Sequence, residues 1–281
     1  MTKTLHKISP LVLLMMTGCI ATSRSANTVS DPQLTFDHGA VVRGDTSRPE
    51  LAIIFTGGEH GQATTTILDV LAARRVKASF FVTGDYLANT DYRNYIHRMI
   101  RDGHYVGPHS HAHPLYASWD DRSNTLVSRD TFVADLNRNV SELRQLGCFD
   151  DDRAIFFVPP YEWFNQDQVA WAKSLDVQLI NMTSRSGSNR DWIPEGHANF
   201  VPSEKIITDV LAFEQREPNG LNGFLLLFHL GSLRADLMDT ELEQLLDELK
   251  ERGYTFRTVD TLIGSLPITS RVMDTRSRKN H

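Results

Sequence analysis

From Glu50 onward, seven short apolar runs alternate with longer amphipathic stretches. The runs are Leu51-Ala52-Ile53-Ile54-Phe55, Ala78 to Val82, Tyr105-Val106-Gly107, Ala154 to Val158, Val177 to Met182, Phe224 to Phe228 and Tyr254 to Phe256. Each has strand length and β-type composition. They do not alternate apolar with polar, so both faces of each strand must be covered, which is the mark of a parallel sheet wrapped by helices. The intervening stretches supply those helices. Thr64 to Arg75 carries Ile67, Leu68, Leu71 and Ala72 at helical spacing, and Val133 to Leu146 carries Leu136, Val140 and Leu143 on one face. Tyr86 to Arg101, Gln166 to Ser174, Ser203 to Gln215 (capped by Ser203, with Glu204 in its first turn) and Thr240 to Glu251 complete the alternation. Seven strands alternating with helices suit a closed barrel better than an open sheet. The expectation is a single-domain α/β barrel over residues 49–265, with a polar tail over 266–281.

The N-terminus is a separate matter. Lys3 and Lys7 precede an apolar stretch from Ile8 to Met16 that ends in Thr17-Gly18-Cys19, the order of an export signal over residues 1–18. The stretch is too short to span a bilayer. Its Gly-Cys ending resembles the lipobox of bacterial lipoproteins. That resemblance implies lipidation at Cys19, a polar tether over 19–48 rich in Ser, Thr and Asn, and a membrane-anchored lipoprotein of the bacterial cell envelope. The alternative is a plain signal cut near Ala21 or Ala26, giving a soluble periplasmic or secreted protein. With Cys19 lipidated, Cys148 has no disulfide partner and reads as a small buried side chain. The formal charge of −6, from 29 Lys+Arg and 35 Asp+Glu, gives no general pull toward phosphate backbones, so nucleic acid is not an expected partner.

In a barrel of this kind, chemistry collects in the loops after the C-terminal strand ends. Those loops hold Thr56-Gly57-Gly58-Glu59-His60, Pro108-His109-Ser110-His111-Ala112-His113-Pro114, Pro159-Pro160-Tyr161-Glu162-Trp163, Asp191-Trp192 and His229. Five of the eleven histidines fall there. His109 and His113, at i and i+4, would lie on one face of a helical turn and could present two imidazoles to one metal ion; a hydrogen-bonded, histidine-rich loop is the plain alternative. His111 would point the other way. The glycines Gly57, Gly58 and Gly61 lack the Gly-Lys-Ser/Thr ending of a phosphate-cradling loop, and no Gly-x-Ser-x-Gly elbow or His-Glu-x-x-His helix is present.

Gly103-His104 followed by His109 to His113, Pro159-Pro160-Tyr161 after a strand, and Leu225-Leu226-Leu227-Phe228-His229 together resemble the ordered motifs of the polysaccharide deacetylase family, the NodB-homology carbohydrate esterases. The likeness runs from about Leu51 to Phe256. It implies a distorted (β/α) barrel of about seven parallel strands. It also implies a divalent metal, commonly zinc, on His109, His113 and an aspartate, with a carbohydrate polymer or oligomer as substrate. In that family a carboxylate takes a proton from the attacking water, a histidine matching His229 protonates the leaving amine, and the backbone amide at Tyr161 receives the oxyanion.

Departures stand beside the matches. Thr56 and Gly57 occupy the places of the family's base and metal-ligand aspartates, and Val158 replaces the arginine that orients the base. The fourth motif survives only as Asp191-Trp192. Glu59, two residues past Gly57, is the expected third metal ligand, and Glu162, where the family carries glycine, is the expected base. Trp163, Tyr116, Asp191 and Trp192 are expected to line the substrate groove, with Trp119 and Asp120 nearby; the tryptophans could instead be rim packing. The functional expectation is a metal-dependent hydrolase that removes acetyl groups from an N-acetyl or O-acetyl sugar polymer. A catalytically silent glycan-binding protein of the same fold and an amidase on a non-sugar substrate are the alternatives.

Overall fold

The computed structural model describes residues 33–150 and 154–264, so the export signal, Cys19, most of the tether and the tail after 265 lie outside the described residues. The elements in chain order are β1 (Thr35–Asp37), β2 (Ala40–Arg43), β3 (Glu50–Gly57), α1 (Thr64–Ala73), β4 (Ser79–Val82), α2 (Gly84–Ala88), α3 (Thr90–Arg101), β5 (Tyr105–Pro108) and α4 (Arg129–Gln145). They continue with β6 (Ile155–Phe157), α5 (Gln166–Lys173), β7 (Val177–Leu179), α6 (Ser203–Arg216), β8 (Leu225–His229), α7 (Leu242–Glu251), β9 (Thr255–Phe256) and α8 (Val259–Ile263). All seven apolar runs are strands, β3 to β9, and every pairing among them is parallel.

Strands β5, β4, β3 and β8 lie side by side in that order, with β9 also on β3 and with β6 and β7 forming their own pair. The round is completed by single links rather than continuous ladders. Val158 N–H donates to the Pro108 carbonyl (3.3 Å), joining β6 to β5. Isolated bridges Val41 to Ile180 and Arg43 to Phe224 carry β2 across the gap between β7 and β8. The antiparallel β1–β2 hairpin therefore belongs to the barrel, with Ala40 and Val41 fully buried. Residues read as tether up to 48 thus include a barrel segment: the polar composition around it hid two small apolar residues whose burial only the pairing supplies.

Every side chain from Leu51 to Phe55 is inaccessible to water, as two covered faces require. Phe55 is in register with Phe80 on one side and Phe228 on the other, and the three rings form a layer with centroids 5.4 and 6.3 Å apart. Helices are set by their caps. Ser128 accepts from Thr131 N–H at the start of α4, Asn165 and Gln168 make a capping box on α5, and Asn89 caps α3. The stretch read as one helix from Tyr86 to Arg101 is two, because Asn89 takes an extended conformation (ψ 118°) and begins a new helix. No helix among the described residues is long and apolar enough to cross a membrane.

Candidate active site

Parallel register brings the strand ends together. Thr56 is opposite His229, Gly57 opposite Val82, and Val82 opposite Pro108, so the loops after β3, β4, β5 and β8 open at one end of the barrel. His109 begins where β5 stops. Its buried backbone N–H reaches the Val82 carbonyl and the Asn139 side-chain oxygen, both at 3.1 Å. The segment to His113 is an irregular turn rather than the expected helical one, with Ser110 at φ 71° and His113 at φ 52°. It is tied from below. Asp135 on α4 accepts from His111 N–H (2.9 Å) and Ala112 N–H (2.8 Å), and the Ser110 hydroxyl accepts from His113 N–H (2.9 Å). His111 turns away, with Nδ1 3.1 Å from Glu142 Oε2.

Despite the different backbone, the two imidazoles converge: Nε2 of His113 is 3.3 Å from Nε2 of His109. Two zinc–nitrogen bonds of about 2.0–2.1 Å meeting near the tetrahedral angle subtend about that distance. His109 Nδ1 lies 2.8 Å from the Val158 carbonyl, an acceptor that fixes its proton on Nδ1 and leaves the Nε2 lone pair facing His113. Burial, reinforced by the neighbouring His113, holds the His109 imidazolium well below its usual range. Burial followed by the His229 charge brings His113 to about 4. Both rings are neutral at pH 7.

The acid–base groups lie on the neighbouring loops. Asp191, with its side chain 1% exposed, meets His229 twice: Oδ2 accepts from the backbone N–H (2.8 Å) and Oδ1 sits 2.6 Å from Nδ1. Burial alone would lower the His229 imidazolium, but the Asp191 charge and hydrogen bond, followed by Glu162, outweigh it and raise the pKa. Burial pushes the Glu162 carboxyl up to about 7, with His229 opposing and Asp191 adding to the rise. Glu162 and Tyr161 both have left-handed backbones, at φ 51° and 60°, a strained pair for residues with side chains. The turn is held by Glu162 N–H donating to the Pro159 carbonyl (3.1 Å) and by the Asn181 amide donating to the Glu162 carbonyl (2.8 Å).

Other expected site residues fall differently. Glu59 is exposed, and among the described residues no group of three His, Cys, Asp or Glu side chains is placed to hold a metal ion. Tyr116 is fully buried, packed on Phe132 and Phe157 (5.1 and 6.3 Å), so it lines the core rather than the groove. Its position after a polar loop concealed that the ring turns inward under α4. Trp163 is half-buried, and Trp192 is 54% exposed. Asp135 and Asn139, which carry the histidine turn, were missed; their i, i+4 spacing on the helix beneath that loop was the available signal.

A sequence model of the family described as polysaccharide deacetylase matches residues 33–180, just over half of the chain. The chain belongs to the polysaccharide deacetylase family. A peptidoglycan-N-acetylglucosamine deacetylase of Bacillus cereus is 25% identical over 222 residues, covering 78% of this chain and 70% of that protein. A chitooligosaccharide deacetylase of Rhizobium leguminosarum bv. phaseoli is 31% identical over 167 residues, 59% of this chain and 64% of that one. The solved structure of Bacillus subtilis PdaA, a family 4 carbohydrate esterase, superposes with a TM-score of 0.63 at 25% identity, covering 80% and 85% of the two chains.

In this member of the polysaccharide deacetylase family, Thr56 and Gly57 stand at the end of β3, where the resemblance places two aspartates. A Cβ added to Gly57 would fall 2.8 Å from Leu230 Cδ1 and 2.9 Å from Tyr86 Cδ2. The volume that would take a ligating aspartate is filled by two fully buried side chains. Beside it, the Thr56 hydroxyl is buried with no hydrogen-bond partner among the described residues. Two imidazoles therefore suit a divalent cation, but the carboxylate that should complete a three-ligand site is not in place. The donor set does not fit a catalytic zinc.

Proposed function

We propose that this chain hydrolyses acetyl groups from an acetylated carbohydrate, with Glu162 as the base and the Asp191-bound His229 as the acid. The observation that carries this reading is the His229 imidazole 2.6 Å from the buried Asp191 carboxylate, which raises its pKa, in the same site as a carboxyl that burial pushes up to about 7. Two titratable groups of opposite role stand in one site, the carboxyl moved toward neutrality and the imidazole moved upward by its aspartate. Its substrate class is supported by the deacetylases to which the chain is related, which act on peptidoglycan and on chitooligosaccharides.

In this mechanism, ionised Glu162 takes a proton from a water molecule as its oxygen attacks the acetyl carbonyl. The negative charge that develops on the carbonyl oxygen is met by the backbone N–H of Tyr161, on a turn whose strained backbone is fixed before substrate arrives. As the carbon–nitrogen bond, or carbon–oxygen bond of an ester, breaks, His229 gives its proton to the leaving group. Acetic acid, which gives its proton to solvent to become acetate, and the free amine or hydroxyl depart. Transfer of the Glu162 proton to His229 through solvent restores the starting state.

Acetate release from N-acetylglucosamine oligomers, acetylated xylan and peptidoglycan fragments tests this reading, with Glu162→Gln and His229→Ala as controls. Release abolished by both substitutions is the expected result. Release that survives Glu162→Gln at full rate would remove the assignment. Binding of glycan by the wild-type chain without any release would favour a second reading, a silent glycan-binding protein, which the filled space beside Gly57 supports.

A further inference from the structure

Trp119 follows the imidazole pair on the next stretch of chain and is 57% exposed, a large apolar surface to leave in water. Its orientation is nonetheless held. Trp119 stacks on Trp163 with centroids 5.2 Å apart and planes at 29°. The Arg122 guanidinium lies over the Trp163 ring at 4.4 Å and is itself fixed by the Phe164 carbonyl and Asp37. The segment that carries Trp119 is pinned at both ends, by the Ala117 to Thr125 bridge and by Leu126 N–H donating to the Tyr116 carbonyl (2.8 Å).

The row continues inward. Tyr161, 47% exposed, stands at 80° to Trp119 with centroids 6.1 Å apart, and its ring lies 4.5 Å from that of His113. Rigid aromatic faces thus lead without a break from the surface to the imidazole pair. The Trp163 indole N–H is already used on the Ser118 carbonyl (3.1 Å), so what Trp163 brings to the stack is ring surface rather than a hydrogen bond. A pyranose ring presents a face of C–H groups that matches such a plane.

We propose that Trp119 and Tyr161 form a subsite for a neighbouring sugar ring of the same chain, next to the unit whose acetyl group meets Glu162 and His229. The proposal rests on the carbohydrate reading above and adds that the enzyme measures chain length. Two half-exposed rings are held at 80° to each other, and their continuity with the reaction site sets the occupant as more of the substrate.

The test is titration calorimetry of the full chain and of Trp119→Ala and Trp119→Tyr with N-acetylglucosamine and its oligomers up to the hexamer, with acetylated xylan and peptidoglycan fragments as further ligands. Wild-type affinity should rise with length, Trp119→Ala should weaken the hexamer about tenfold while leaving the monosaccharide unchanged, and Trp119→Tyr should recover most of the loss. In turnover the same loss should appear in KM and not in kcat. Wild-type binding matched by Trp119→Ala for every oligomer would overturn the subsite and leave the hydrolase reading standing. Failure of the wild-type chain to bind any glycan in the panel would overturn both. Self-association in sedimentation that Trp119→Ala abolishes would give the row to a second copy of the chain and likewise overturn the subsite.

Discussion

Placing an aspartate at position 57 is the obvious way to restore the family's metal ligand, and the structure says it will fail alone. An added Cβ would stand 2.8 Å from Leu230 Cδ1 and 2.9 and 3.2 Å from two Tyr86 ring carbons, inside the distances real Cβ atoms keep. Both neighbours are fully buried, so each can move only into packed surroundings. Tyr86 is stacked on Tyr92 (5.2 Å) with its hydroxyl 3.1 Å from Thr64, while Leu230 is held by backbone bonds to Thr56 (2.8 Å) and Ala63 (2.9 Å). Overpacking of this kind costs about 1–3 kcal/mol. Gly57→Ala, which adds the Cβ alone, should therefore lower the melting temperature by about 4–8 °C for a cost near the middle of that range. Gly57→Asp should cost more, since the carboxylate enters an apolar space. Scanning calorimetry of Gly57→Ala, Leu230→Ala and the double variant gives the magnitude and the coupling: the glycine substitution should be less costly once Leu230 is truncated. A melting temperature for Gly57→Ala within about 1 °C of wild type, or a Gly57→Asp protein that binds one zinc per chain without losing stability, would refute the claim that this volume is closed.

Glu162→Gln should lower kcat by about 10²–10⁴ and abolish the acidic limb of the pH–rate profile, which in the wild type should rise through pH about 7. The same carboxyl carries a stability signature. Its folded pKa lies above the ordinary 4.5, so the folded state binds the extra proton, and stability should fall as pH rises from about 4.5 through 7; chemical denaturation should show Glu162→Gln gaining on wild type by up to about 3 kcal/mol across that window and by nothing further above it. Asp191→Asn removes the charge that raises His229, so the alkaline limb should move to lower pH, read from kcat/KM profiles. Asp135→Ala frees two backbone donors of the histidine turn and should destabilise the chain by about 1–3 kcal/mol in thermal unfolding.

What could be read in the one-dimensional chain was whatever repeats with a physical period. Seven runs covered on both faces specified seven parallel strands, because an apolar strand between helices has no other place to go, and the loops after those strands held the histidines. His109 and His113 were found by their spacing, although the turn that brings them to 3.3 Å is not the helix that spacing suggests. Their convergence comes from Asp135 and Asn139 on a helix some 25 to 30 residues downstream. Glu162 and Asp191 stood in the right loops as letters.

Only the fold decided what those letters do. Separation in sequence says nothing of how completely water is excluded or which charge lies opposite, and these set the Glu162 carboxyl near 7 and raise the His229 pKa. The same holds for volume. Gly57 looks like a vacancy when read in line, and Glu59 looks like its replacement; in space the vacancy is occupied by Tyr86 from helix α2 and Leu230 from just past the end of β8, and Glu59 faces solvent. Pattern along the chain fixes which face is buried, but packing between distant segments fixes what room is left.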